Sequence, residues 1–243
     1  VRGDLSASRH GRTRATQICR FRSAVEATAG RTGGPWRPRT APPGRLCELP
    51  QPHARPERRP GRRVLAGGMA NDPNWNLPDV PSFTLTSPDF TDGGELPTSA
   101  RGSDVGGEDR SPALEWSDAP EGTKSFVLTV YDPDAPTGSG FWHWSLTDIP
   151  GSATSLPAGA GTDDALLPAE ALRRRNEFGT DTFLGAAPPA GHGVHRYFFT
   201  LSALDVPVLE VPADATPAVV GFMLRGHLLG RAQLMGTQET PAA

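Results

Sequence analysis

The sequence predicts a mostly β fold, and three features of the chain from about residue 80 onward support this prediction. Four segments combine apolar, aromatic and β-branched residues in runs of strand length. Gly- and Pro-rich stretches separate these segments, as is typical of turns and loops. A single segment near the C-terminus has helical spacing, and the chain contains no internal repeat.

The four predicted strands follow one another along the chain. Ser82–Ser87 is a short first strand, and Ser125–Tyr131 is a nearly continuous apolar run, which is typical of a strand buried on both faces. Phe141–Ile149 and His195–Leu204 are the third and fourth strands, both rich in aromatic residues. The stretch Ser155–Asp164 is predicted to be a loop.

One helix is predicted, over residues 216–235. Thr216 can cap this helix, Pro217 suits its first turn, and Gly236 is expected to end it. Apolar residues recur between these limits at helical spacing: Val219, Val220, Met223, Leu224 and Leu228. Further short strands are predicted within Pro168–Phe183, where the pattern is weak, and Leu167–Arg175 fits a helical turn equally well.

Charge divides the chain into two parts. Residues 1–68 hold 15 Arg, no Lys and 4 acidic residues, a net charge of +11. Residues 69–243 hold 9 basic and 23 acidic residues, a net charge of −14. The first part is rich in Arg, Pro and Gly and has too few apolar residues for a core, so we expect it to be disordered.

Met69 lies at this change of composition, and we expect translation to start there, with residues 1–68 upstream of the protein's true beginning. The alternative is a disordered basic arm that binds nucleic acid or another acidic surface by charge. Residues 69–243 form the single predicted domain, and no nucleic-acid partner is expected for it.

Cysteine content and hydropathy narrow the class of protein. Cys19 and Cys47 both lie in the basic segment, so the domain has neither a disulfide framework nor a thiolate metal site. The chain contains no apolar run of 18 residues and no signal-peptide pattern, so we expect no membrane span and a cytoplasmic location.

Two acids and a histidine lie close together in the stretch YDPDAPTGSGFWHWS (Tyr131–Ser145). Pro133 favours an extended conformation at Asp132, and residues two apart in an extended segment point the same way. We therefore expect Asp132 and Asp134 to face one cavity, with Pro136 stiffening the end of the segment.

Strand alternation adds polar groups from two further segments. On the third predicted strand it places His143 on one face and Trp142 and Trp144 on the other. On the last predicted strand, His195 and Tyr197 share a face. Three segments thus each present polar side chains from one side.

Each of these features also has a structural explanation. The DPDAP motif alone fits a turn in which Asp side chains accept hydrogen bonds from nearby backbone amides. A lone His143 is more often a core histidine, and His195 and Tyr197 fit simple strand packing. Paired Asp and His also suit a metal, although the spacing matches no zinc or iron signature.

Two motifs together resemble those of the phosphatidylethanolamine-binding protein family, and more closely its bacterial branch, often called Raf-kinase-inhibitor-like. The motifs are YDPDAPTGSGFWHW (131–144) and GAAPPAGHGVHRYFF (185–199). The resemblance extends from about Ser82 to Met235, including the elements SPALEW (111–116), PEGTKSF (120–126) and RNEFG (175–179). Residues 1–68 match nothing in the family.

The resemblance implies a sandwich-like fold with a large antiparallel sheet, a smaller sheet and peripheral helices. It also implies a small anion-binding pocket at one end of the molecule. The pocket residues implied by the resemblance are Asp132, Asp134, Pro136, His143, Gly185, Ala187, His195 and Tyr197. The family loop commonly has glycine where this chain has Ala186 or Ala187, and a methyl group there would narrow the pocket.

These features favour a non-catalytic binding protein for a phosphorylated small molecule or a phospholipid headgroup. The family also implies modulation of a partner protein such as a kinase, and a homodimer. No cofactor is expected. A hydrolase that uses the Asp and His cluster is an alternative, although the domain has no convincing nucleophile. A protease inhibitor is another, but its only long loop, Phe90–Pro112, is acidic and glycine-rich.

Overall fold

Eight β-strands and one α-helix make up the described part of the computed structural model, which covers Pro73 and residues 77–242. The strands are β1 (Thr84–Thr86), β2 (Leu114–Ser117), β3 (Ser125–Asp132), β4 (Phe141–Pro150), β5 (Ser155–Leu156), β6 (Leu172–Arg173), β7 (His195–Leu204) and β8 (Leu228–Gln238). The helix is α1 (Pro217–Met223), and short 3-10 helices lie at Thr98–Ala100, Ser103–Val105, Asp164–Leu166 and Leu224–Gly226. The basic segment 1–68 and the predicted boundary at Met69 lie outside the described residues.

The strands form two antiparallel sheets, as the resemblance implied. The large sheet has five strands in the order β6-β4-β3-β7-β8, and the small sheet has three in the order β1-β2-β5. Every pairing between named strands is antiparallel. The mostly β prediction is therefore confirmed, including the division into a larger and a smaller sheet.

The large sheet is covered on both faces. Its inner face packs on the small sheet, where the rings of Phe126 and Trp116 lie 5.6 Å apart. Its outer face is partly covered by α1, whose Val220 packs with Val127 of β3. Val127 and its neighbour Leu128 are both buried, in different clusters, so β3 is covered on both faces as its apolar run predicted.

The predicted strands agree closely with those of the structure. The observed bounds of β7 are those predicted, β3 and β4 each extend one residue further, and the first strand is shorter, at Thr84–Thr86. The ambiguous segment Leu167–Arg175 contains the short strand β6 and no α-helix. Strand β2 and the two-residue β5 were not predicted, because so few residues leave little pattern to recognise.

The prediction of a helix extending to residue 235 is wrong. The helix begins as expected, with the Thr216 hydroxyl accepting from the Val219 N–H, but it ends at Met223, and residues 228–238 form strand β8. Buried positions in β8 alternate strictly, at Gly230, Ala232, Leu234, Gly236 and Gln238. Three of these five residues are Gly or Ala, so the alternation of a strand is not visible when only large apolar residues are considered.

Glycine is required at one of these β8 positions. A Cβ on Gly236 would collide with the Leu96 side chain and lie 3.2 Å from the Phe90 ring. The strand can therefore approach these loop residues only because it has no side chain there.

No helix among the described residues is long and apolar enough to cross a membrane.

Candidate functional site

The candidate site lies at one edge of the large sheet, where β3 ends and β4 and β7 begin. Asp132 is the last residue of β3 and pairs with Phe141, the first residue of β4. His195 is the first residue of β7, the other neighbour of β3. Antiparallel pairing therefore brings Asp132 and His195 together although they are 63 positions apart in sequence.

Asp132 contacts both a turn and the buried ring of His195. Its Oδ1 accepts hydrogen bonds from the backbone N–H groups of Asp134 (2.8 Å) and Ala135 (3.1 Å), as the turn interpretation predicted. Its Oδ2 lies 2.8 Å from Nδ1 of His195, and both side chains are almost completely buried. One carboxylate thus shapes the loop after β3 and also fixes the orientation of the His195 ring.

His192 extends this chain of polar groups. Its Nδ1 lies 2.7 Å from Nε2 of His195, so both nitrogens of the buried His195 ring have partners. His192 itself is exposed. The sequence interpretation did not single it out, and the available signal was a second histidine three residues before His195 in the GHGVH motif.

A β-bulge places His143 on the inner face of the sheet. Val130 pairs with Trp144 but Tyr131 pairs with Trp142, so His143 is the extra residue in β4. The predicted alternation is therefore wrong here: Trp144 packs in the inner core, whereas Trp142 lies on the outer face beside Tyr131. His143 instead lies next to Tyr197 on the inner side, with ring centroids 5.1 Å apart.

His143 and Tyr197 each have one polar atom without a protein hydrogen bond. Nδ1 of His143 lies 2.9 Å from the Leu184 carbonyl, which can only accept, so Nδ1 carries the hydrogen. Among the described residues, neither His143 Nε2 nor the Tyr197 hydroxyl has a hydrogen-bond partner, and neither belongs to the buried polar atoms that lack one. Both side chains are almost completely buried, at 7% and 2% exposed, so each has a polar atom that is short of hydrogen-bond partners.

Burial sets the protonation of both groups. It lowers the pKa of His143 below its ordinary value of 6.5, although the Leu184 carbonyl and the Asp132 charge act in the opposite direction. His143 is then neutral at pH 7, with a lone pair on Nε2. Burial also raises the pKa of Tyr197, assisted by the charges of Asp132 and Asp134, so its hydroxyl stays a donor.

Asp134 does not share a cavity with Asp132 as predicted. The chain turns directly after Asp132, so the alternation of an extended segment does not apply to Asp134. Its carboxylate instead accepts from Arg196 Nε and Nη2, both at 2.7 Å, and from the Arg196 backbone N–H at 3.0 Å. Burial raises the pKa of Asp134, but Arg196 more than offsets this and holds the pKa below its ordinary value.

The GAAPP loop lies beside His143 through Leu184. A Cβ on Gly185 would collide with the backbone of Arg101, so this position needs glycine for a close approach. Ala186 is fully buried and pairs with Arg101. Its methyl group therefore packs in the core, and Ala187, which is half-buried, is the position from which a methyl can narrow a pocket.

The structure thus brings together half of the predicted set. Asp132, His143, His195 and Tyr197 form one cluster, which we call the edge cluster. Gly185 and Ala187 lie in the adjoining loop, whereas Asp134 and Pro136 line a cavity on the outer face. Within the described residues, no group of three or more His, Cys, Asp or Glu side chains is arranged to hold a metal ion.

Comparison with known proteins identifies relatives of the same architecture. Residues 86–239 match the sequence pattern of the family described as phosphatidylethanolamine-binding protein. YbcL of Escherichia coli K12 is 44% identical over 161 residues, which cover 65% of this chain and 88% of YbcL. The crystal structure of E. coli YbcL, described as a member of the mammalian family, superposes with a TM-score of 0.62 and is covered over 99% of its length.

Two further relatives extend this comparison. YbhB of E. coli K12 is 45% identical over 152 residues, covering 62% of this chain and 96% of YbhB. LppC of Mycobacterium tuberculosis H37Rv, whose name calls it a lipoprotein, is 35% identical over 170 residues, covering 69% of this chain and 78% of LppC. With the match over residues 86–239, these similarities show that the chain belongs to the phosphatidylethanolamine-binding protein family.

Proposed function

We propose that the edge cluster binds the phosphate group of a small molecule or a lipid headgroup without catalysing a reaction. The observation that carries this proposal is a pair of polar atoms on adjacent rings, His143 Nε2 and the Tyr197 hydroxyl, that have no hydrogen-bond partner among the described residues. Membership of a family of binding proteins supports the general class. The ligand and its phosphate chemistry are our own inference.

The two atoms favour a monoprotonated phosphate. The Tyr197 hydroxyl donates to a phosphate oxygen, and the neutral His143 Nε2 accepts from a P–OH group. A dianion has no such proton and is repelled by the nearby Asp132 carboxylate. We therefore expect weak binding, with Kd values between about 1 μM and 1 mM, which correspond to roughly −8 to −4 kcal/mol.

His195 has a supporting role in this proposal. Its Nδ1 and Nε2 are already bonded to Asp132 and His192, so neither nitrogen is available to donate to a phosphate. We infer that His195 holds the Asp132 carboxylate in place near Tyr197, so that removing His195 weakens binding indirectly.

A hydrolase is the less favoured alternative. The chain Asp132–His195–His192 resembles an acid/base relay, which is the observation in its favour. The serine nearest in sequence to His143 is Ser145, which is completely buried and therefore inaccessible to substrate. No enzyme activity appears in the names of the relatives described above.

The biological setting stays a prediction. We propose a cytoplasmic protein that modulates a partner, with a kinase as the partner class implied by the family, and that forms a homodimer. One relative, LppC, is named a lipoprotein, so fractionation of the cells that express this protein tests the cytoplasmic location.

Isothermal titration calorimetry of the full chain tests the phosphate site. The ligands are inorganic phosphate, O-phosphoethanolamine and vesicles containing phosphatidylethanolamine, which separate a free phosphate from a lipid headgroup. Tyr197→Phe removes one hydroxyl and should raise the Kd at least about tenfold, the value of a hydrogen bond to a charged group. His195→Ala should also weaken binding.

His227→Ala is the matched control, because His227 also bonds an aspartate but is exposed. It should leave the Kd unchanged. Unchanged affinity in both Tyr197→Phe and His195→Ala would refute the site, and turnover of a phosphomonoester by the wild type would favour the hydrolase.

A further inference from the structure

The cavity that Asp134 and Pro136 line has a volume of about 740 Å³ and lies on the outer face of the large sheet, between α1 and the loop that joins β3 to β4. This volume is in the range of small-molecule sites, about 300–1,000 Å³. No residue of the edge cluster lines it, although His192, which contacts His195, does, so the proposed phosphate site does not explain it. Its floor is formed by side chains of β3, β4, β7 and β8 that point away from the small sheet.

An aromatic row forms one end of this floor. Tyr131 pairs with Trp142 on one side and with Phe198 on the other, so the three rings lie side by side across β4, β3 and β7. The Tyr131 and Trp142 centroids are 4.3 Å apart, and all three residues line the cavity. This end offers a flat apolar surface.

A polar row follows two residues further along each strand. Thr129 pairs with Thr200, which pairs with Gln233, and all three line the cavity. Gln233 Nε2 donates to the Thr200 hydroxyl at 2.9 Å. This row gives the middle of the cavity hydroxyl groups rather than a dry apolar floor.

Two arginines form the opposite end. Ser202 pairs with Arg231 two residues beyond the polar row, and both line the cavity. Arg225 also lines it and follows Leu224, which packs on Val127 at this end of the sheet. The arginine row lies four residues from the aromatic row, which at about 3.3 Å per residue is roughly 13 Å.

The charge of this cavity is positive at the arginine end. Asp134, the acid that lines it, is already neutralised by Arg196, whose guanidinium also lies 5.6 Å from the centre of the Phe198 ring. Arg231 is half-buried, its Nη1 donates to the Pro78 carbonyl at 3.3 Å, and burial lowers its pKa. An anion beside Arg231 would therefore stabilise its guanidinium charge, which burial has partly removed from water.

We propose that this cavity binds an amphiphilic anion, whose acidic group pairs with Arg231 and Arg225 and whose apolar body covers Tyr131, Trp142 and Phe198. The required length is about 13 Å, which fits an aromatic sulfonate or a medium-chain carboxylate. This site contains none of the four residues of the edge cluster, so we expect it to bind its ligand independently of the proposed phosphate site.

Fluorescence titration of the full chain with 8-anilinonaphthalene-1-sulfonate, followed by displacement with decanoate, tests the proposal. Arg231→Gln should raise the Kd about tenfold, as expected for a lost charge-assisted contact. Gly221→Leu should abolish binding while preserving the fold, because Gly221 lines the cavity and a Cβ there meets no atom within 4 Å. Leucine is also a better helix former than glycine.

Phe222→Ser is the matched control for non-specific binding to apolar surface. Phe222 belongs to the same helix and is 69% exposed, but it does not line the cavity. This variant should leave the Kd within twofold of the wild type. Saturating O-phosphoethanolamine should not displace the dye, and a loss of dye binding in Tyr197→Phe would contradict the independence of the two sites.

Two results would overturn the proposal. One is dye affinity that falls in Phe222→Ser but not in Gly221→Leu, which would assign the signal to exposed apolar surface. The other is a wild-type dimer in sedimentation velocity that dissociates in Gly221→Leu, which would assign this face to a second copy of the chain.

Discussion

Replacing Asp132 by asparagine isolates the energy of the buried pair with His195. Asparagine keeps the shape of the side chain and an oxygen that can still accept from the backbone N–H groups of Asp134 and Ala135. The change therefore falls on the 2.8 Å contact with His195. Hydrogen bonds to charged groups contribute about 1.5–3 kcal/mol, so we expect Asp132→Asn to lower the free energy of unfolding by that amount.

The chain provides a matched control for this experiment. Asp205 and His227 make the same kind of contact at 2.9 Å, but their side chains are 50% and 43% exposed, against 4% and 2% for Asp132 and His195. Exposed ion pairs contribute roughly 0–1 kcal/mol because water screens the charges. Asp205→Asn should therefore cost under about 0.5 kcal/mol.

Urea denaturation at pH 7, followed by tryptophan fluorescence, measures both variants, with equal m-values as the condition for comparing them. A larger loss in Asp132→Asn than in Asp205→Asn supports the reasoning. Equal losses in the two variants would show that burial does not strengthen the contact, and the account of His195 as a fixed support for Asp132 would fail.

Three further predictions concern packing, charge and pH. Gly236→Ala should lower the free energy of unfolding by about 1–3 kcal/mol, because the added methyl group has no room. Gly221→Ala should raise it by about 0.5–1 kcal/mol, because alanine is the better helix former and this position is open. Urea denaturation measures both, and a change of the same sign in the two variants would contradict the reasoning. The pKa of Asp134 is below 3.8 in the folded state, so its pairing with Arg196 stabilises the protein above about pH 4 and this stability is lost as the pH falls through the folded value. The difference in unfolding free energy between the wild type and Asp134→Asn should accordingly be larger at pH 6 than at pH 3, and a difference independent of pH would refute the pairing. Calorimetry should show O-phosphoethanolamine binding more tightly at pH 5.5 than at pH 8, because low pH adds the phosphate proton that the neutral His143 Nε2 accepts; tighter binding at pH 8 would contradict the proposed hydrogen bonds.

The sequence predicted the strands most reliably where large side chains mark the pattern. The aromatic-rich run from His195 to Leu204 identified all of β7. The prediction missed strand β8 because three of its five buried positions are Gly230, Ala232 and Gly236, whose small side chains add little to an apolar period. Residues 228–238 form a strand because they pair with β7 at ten positions, and such long-range pairing is not encoded in the local sequence.

The site was predicted in its residue types but not in all of its contacts. Asp132, His143, His195 and Tyr197 meet as expected because β3, β4 and β7 are adjacent. The position of His143 depends on a β-bulge, and a single inserted residue reverses every face assignment beyond it. His192 belongs to a loop, where no periodicity indicates which way a side chain points.

Nitrogen chemical shifts of the imidazole rings, followed by NMR during titration with O-phosphoethanolamine at pH 6, test the central claim most directly. We predict that the Nε2 resonance of His143 moves with a saturable dependence on ligand, that Nδ1 of His143 stays protonated, and that the exposed His227 does not respond. Saturation of the ligand heat signal with no shift at His143 would contradict the account, because the phosphate would then bind elsewhere on the molecule.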